Sequence, residues 1–256
     1  MKRVQGFSIT MLLGLMLSAG IAQTDRNPAA AGAPRQVNIK EIVDQLSRSG
    51  TGREVPTSPG NKEPQDLDPK AKALLAEGEA LLYQKNQPDV GIVKIEAALK
   101  VDPRMPSAYT AVFVYYSLIK SNHPAAARLL EGGLQPCQKS SGVRFHLGNT
   151  YSAMQRYQDA VEQFTAALLL EPEYPASIHY NMGNAHEKLG RLSLAMTSWQ
   201  RALVEDEKHL NARRNLVIAH YKNGSLDAAR KEAKRLTELD PNGQIGLWAQ
   251  DALRRM

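Results

Sequence analysis

The chemistry available to this 256-residue chain rests on six histidines, one cysteine and a set of asparagines. His123, His146, His179, His186, His209 and His220 never form an H-E-x-x-H pair, and Cys137 has no second cysteine for a zinc site or an intramolecular disulfide. No G-x-S-x-G elbow and no G-x4-G-K-[ST] loop is present; the proline- and glycine-rich stretch at 49–64 leads into no Lys-Ser or Lys-Thr pair. The expectation is a non-catalytic chain with no cofactor and no metal site, whose lone cysteine is a free, buried thiol. The asparagines ask for more. Asn149, Asn181, Asn184 and Asn215 stand inside helical patterns although asparagine is a poor helix former. A carboxamide offers a donor and an acceptor together, so a row of them can grip the backbone of an extended peptide without reading its side chains.

The elements that position these amides follow from a repeated spacing. Between Phe145 and Pro172, the residues Leu147, Gly148, Tyr151, Ala160, Phe164, Ala167 and Pro172 fall at L-G-x2-Y, A-x3-F and P. This resembles the tetratricopeptide repeat, a helix-turn-helix unit of about 34 residues. A second copy keeps Met182, Gly183, Gly190, Ala195, Trp199 and Ala202, with His186 in place of the tyrosine. A third keeps Leu216, Gly224, Ala229 and Pro241 but has Val217 where the small packing residue belongs, so its two helices are expected to sit farther apart. Upstream, Gly78, Leu81, Ile95, Ala98 and Pro103 mark a copy with an extra residue placed in its turn near Pro88. The unit from Tyr109 to Leu134 is the most degenerate, with Phe113 at the small position and Gly132 and Gly133 in its second helix. The expected fold is all-α: a right-handed superhelical solenoid of about five helix-turn-helix units over 69–241. A helix at 242–256, with Ile245, Trp248, Ala249 and Leu253 along one face, should cover the open apolar edge.

The resemblance also implies a concave groove lined by the first helix of each unit. A 100° step per residue puts His146 and Asn149 opposite the packed Leu147 and Tyr151. The same register gives Asn181, Asn184 and Lys188, then Asn215, Ile218 and Lys222 with Arg214 beside them, and, backward, Ala111, Val114 and Leu118. The groove is expected to grade from apolar to polar and basic. Family members that clamp a C-terminal carboxylate use two lysines and an arginine. Phe145, Asn211 and Asn215 stand at those positions here, so that clamp is not expected, while Arg214 and Lys222 favour an acidic segment. The mixed face with Arg230, Lys231, Lys234 and Arg235 reads as solvated and ion-paired.

Two further segments bear on location. Residues 1–22 run from Lys2 and Arg3 through an apolar stretch at Phe7–Leu17 to Gly20 and Ala22, the order of a secretory signal peptide cleaved near Ala22. Gly20 stands where a lipoprotein needs cysteine, and the apolar run is short for a membrane span, so no stable membrane anchor is expected. The formal charge of +6, two of it from the leader, gives no argument for nucleic acid. Residues 23–68 read as a flexible linker carrying a short amphipathic helix near 38–48, in which Ile39, Ile42, Val43 and Leu46 share a face. That helix packs on the first repeat or docks to a partner or to the chain's own groove. The resulting expectation is an exported adaptor, periplasmic or secreted, that binds a protein or peptide partner in its groove. The alternative is a structural subunit of an envelope assembly, in secretion, pilus or cell-wall machinery, joined through its convex face or linker helix.

Overall fold

The structure is a computed structural model that describes residues 62–256. The expected signal peptide and the amphipathic segment at 38–48 lie outside the described residues. Within them the chain is helical, with no strand, and divides into two compact units, 62–173 and Tyr174–Met256. No helix among the described residues is long and apolar enough to cross a membrane.

The first unit holds α1 (Pro69–Glu79), α2 (Pro88–Val101), α3 (Pro106–Val112), α4 (His123–Gly133), α5 (Ser141–Ala153) and α6 (Tyr157–Leu168). The second holds α7 (Pro175–Lys188), α8 (Leu192–Glu205), α9 (Leu210–Lys222), α10 (Leu226–Leu239) and α11 (Gln244–Arg255). Asp68 starts the array as the sequence requires: its carboxylate accepts from Lys70 N at 2.7 Å and Ala71 N at 3.3 Å, and Pro69 fills the first helical position. Gly190 and Gly224 take φ of +73° and +76° in the turns after α7 and α9, where glycine carries no steric penalty.

Within each helix pair a small residue faces a large one. A Cβ added to Gly148 would lie 2.6 Å from the Phe164 ring, and one added to Gly183 would lie 2.5 Å from Trp199 Nε1. Val217, at the corresponding position of α9, is buried, and so is Ala233 at the position of Phe164 and Trp199 on α10. The extra volume on α9 is therefore matched by a smaller partner on α10, which removes the reason to expect wider spacing there. The degenerate unit exchanges sizes in the same way, with Gly133 of α4 admitting the Tyr109 ring of α3. Its Phe113 begins a run of wider π-helical turns at Phe113–Ile119, and a second such run follows α1 at Ala80–Gln84. The extra residue of the first repeat is thus absorbed inside its first helix, not in the turn at Pro88. At the end of the chain, α11 lays Ala249, Ile245, Trp248 and Leu253 on Val217, Ala229, Ala233 and Leu236.

The linker was expected to run to Asp68, yet its last residues are seated on the helices. Leu67 is buried, Glu63 Oε1 accepts from Ser107 N at 2.8 Å and Ser107 Oγ at 2.5 Å, and Arg104 bridges Asp66 and Asp102 at 2.9 Å each. Asp68 N donates to Asp102 Oδ2 at 3.2 Å. Helix α3 has no capping side chain of its own, so Glu63 supplies the missing acceptor from 44 residues away in sequence.

Two outcomes test this packing. Leu147 is fully buried, and Leu147→Ala should lower the unfolding free energy by about 2–5 kcal/mol in urea titration. The second concerns pH. Burial, and secondarily the charge of Glu63, pushes the Glu79 carboxyl from its ordinary 4.5 up to about 7. A raised carboxyl holds its proton more tightly in the folded chain. Its stabilisation is therefore complete below pH 4.5 and is lost as pH rises through about 7. Asp102 acts in the opposite sense: the Arg104 hydrogen bond holds it at about 2, so its contribution is present above its ordinary 3.8 and disappears as pH falls through 2. Glu79→Gln should flatten the decline in stability between pH 4.5 and 7, and an unchanged decline would assign the proton to another group.

Candidate functional site

The second unit brings the amides together. On α7 and α9, Asn184 and Asn215 are half-buried, and Asn184 Oδ1 accepts two hydrogen bonds: from Trp199 Nε1 at 3.0 Å and from Asn215 Nδ2 at 2.9 Å. The indole N–H can only donate, so Asn184 must turn its oxygen toward Trp199. Asn215 must then offer its NH2 to that same oxygen. This relay fixes both carboxamides, and it leaves the Asn184 NH2 and the Asn215 oxygen as the remaining donor and acceptor. Trp199 is 1% exposed, so the relay is rooted in the core.

Cations border the pair. Lys188 at the end of α7 is exposed and Arg214 on α9 is half-buried, and no carboxylate among the described residues pairs with either. Lys222 is exposed and approaches Glu187 Oε1 at 3.9 Å, a surface pair of small energetic weight. Ile218 is half-buried on the same helix. The neighbouring Arg213 has a different role: it is buried, holds Glu232 of α10, and donates to the Glu207 carbonyl at 2.9 Å. On α10, Arg230 pairs with Asp227, and Arg235 pairs with Glu207 and Glu238.

The remaining expected groove residues are placed otherwise. His146 is 0% exposed: its Nε2 lies 3.2 Å from Thr110 Oγ1 and its ring stacks on Phe113 with centroids 4.6 Å apart. Burial pushes it down to about 3, so it is neutral at physiological pH. It is a packing residue and lines no groove. Asn149 and Asn181 are buried as well, as are Ala111 and Val114 of the expected apolar end. The reason is geometric. Within the first unit, the face of α5 that points away from its own partner α6 still meets the preceding first helix, so a rotation angle alone does not separate open surface from helix contact. In α5, consequently, Phe145, His146, Leu147, Gly148, Asn149, Thr150 and Tyr151 are all buried. The role of Trp199 was missed at the sequence level. The available signal was the one aromatic N–H at a position where the preceding repeat has phenylalanine.

Family models for the TPR repeat match residues 148–190 and, as the tetratricopeptide repeat, residues 180–243. Residues 148–243 therefore carry tetratricopeptide repeats. Solved tetratricopeptide structures share the fold. Pseudomonas aeruginosa PilF aligns with a TM-score of 0.57 at 16% identity, over 73% of this chain and 91% of its own. PilW, a widely conserved type IV pilus biogenesis factor, gives 0.56 at 18%, over 73% and 94%. YrrB, a TPR protein with an unusual peptide-binding site, gives 0.56 at 18%, over 72% and 99%. No curated protein sequence matches the chain.

The relay sets an expectation of its own. Trp199→Phe keeps most of the ring volume and removes the N–H, so stability should fall by about 0.5–1.5 kcal/mol from the lost hydrogen bond. Nuclear magnetic resonance should show the Asn184 and Asn215 side-chain amides losing their distinct shifts together. Unchanged Asn215 signals would mean that the two amides are not coupled.

Proposed function

We propose that this protein is a non-catalytic adaptor that holds a peptide segment or protein partner on the α7–α9 face, in the bacterial periplasm. The observation that carries the reading is the Asn184–Asn215 pair, whose orientation is imposed from the core by Trp199. A backbone carbonyl of an extended segment meets the Asn184 NH2, a backbone N–H meets the Asn215 oxygen, and both contacts are indifferent to side-chain identity. Lys188, Arg214 and Lys222 bias the choice toward segments carrying carboxylates. The printed description of YrrB, with its peptide-binding site, supports this use of the fold, and the order of charge, apolar run and small residues in 1–22 supports export.

A second reading, a structural subunit of an envelope assembly, draws on the description of PilW as a pilus biogenesis factor. The two separate by experiment. Affinity capture from the native envelope, followed by calorimetry with the captured segment, should show Asn215→Ala and Arg214→Glu each weakening binding at least tenfold, about 1.4 kcal/mol. The unfolding free energy should change by no more than about 1 kcal/mol. Full affinity in both variants would remove the α7–α9 face as the binding site and favour the assembly reading.

A further inference from the structure

Helix α2 carries an apolar stripe that no element among the described residues of the first unit covers. Its buried side is Gly91, Ile92, Ile95 and Ala98. On the opposite side Val90 is 50% exposed, Val93 62% and Val101 38%, with the half-buried Ala97 between them, at the spacing of a single helix face. Valine loses side-chain freedom in a helix, so in solvent these positions give up helix propensity and bury nothing in return. The polar groups along the stripe are already engaged within the unit. Lys94 pairs with Glu77 at 3.0 Å, Tyr116 donates to Glu96 at 2.5 Å, and Asp89 takes both the Tyr115 hydroxyl and Lys120 at 2.6 Å. Lys100, beside Val101, is exposed and has no carboxylate partner among the described residues.

We propose that residues 38–48 of this same chain dock as an amphipathic helix along the valine stripe of α2. The way the chain enters the first unit makes this segment the occupant. Glu63 on Ser107, Asp66 on Arg104, the buried Leu67 and Asp68 N on Asp102 fix the entering chain at the loop that directly follows Val101. The upstream sequence is thus released at one end of the stripe. Residues 49–61 can span roughly 45 Å when extended, and α2 is only about 21 Å long, so the tether reaches the whole helix in either direction. Those thirteen residues contain Pro56, Pro59 and three glycines and little to pack, which suits a tether. The segment itself supplies Ile39, Ile42, Val43 and Leu46 at helical spacing, two to three turns that match the extent of the stripe, and its Glu41 and Asp44 offer carboxylates to Lys100. A short tether holds the local concentration near the millimolar range, so a contact too weak to form between separate molecules closes within one.

Hydrogen exchange on the full chain tests the assignment. Backbone amides of residues 39–47 should exchange at least tenfold more slowly in the parent chain than in Val93→Asp, at a rate independent of protein concentration. The amides of Ile92, Ile95 and Ala98 should be equally protected in both, showing that the variant keeps its fold. Ile42→Asp should reproduce the loss from the other side. Absence of protection at 39–47, or protection that survives Val93→Asp, overturns the proposal. So does protection that grows with concentration, which assigns the stripe to a second copy of the chain.

Discussion

Close approach of paired helices is the constraint on which the rest of the structure depends. A repeat of this size buries too little surface to fold alone, so each pair must present a flat, filled surface to its neighbours. The fill at one facing position is met by Gly148 with Phe164, Gly183 with Trp199, and Val217 with Ala233, while the degenerate unit instead admits Tyr109 against Gly133 at another position along the pair. What recurs from pair to pair is a smaller residue set against a larger one, and not the identity of either. At Phe113, where a large residue stands at the small position, the helix runs in π turns and the following tyrosines reach the carboxylates of α2.

The same constraint generates the candidate site. Filling the space opposite Gly183 with tryptophan, where the preceding repeat uses phenylalanine, introduces an N–H that must find an acceptor once buried. Asn184, the residue next to the glycine, supplies it, and Asn215 of the next first helix completes the relay. A packing choice thereby dictates which way two surface amides face. Side chains fixed in this way have little freedom left to lose on contact.

Much of the fold was legible because its signal is periodic. Glycine, alanine and aromatic spacing placed the helix pairs. The errors share a cause. His146, Asn149 and Asn181 were assigned to open surface from helical phase, but phase reports a direction and not what stands in that direction. Contacts between successive first helices, such as His146 with Thr110 and Phe113, join residues in different repeats and leave no local pattern. The seating of 63–68 was hidden for a similar reason. Proline and charge read as linker until Glu63 is seen to cap a helix that lacks its own cap.

Cys137 illustrates how packing governs covalent fate. Its thiol is buried, donates weakly to the Pro103 carbonyl at 3.6 Å, and is pushed up to about 12, chiefly by burial. Disulfide exchange proceeds through the thiolate, the form that burial disfavours here. A lone cysteine on the surface would join chains in an oxidising compartment. Shielded at the end of the second helix pair, this one is withdrawn from that chemistry by the fold around it.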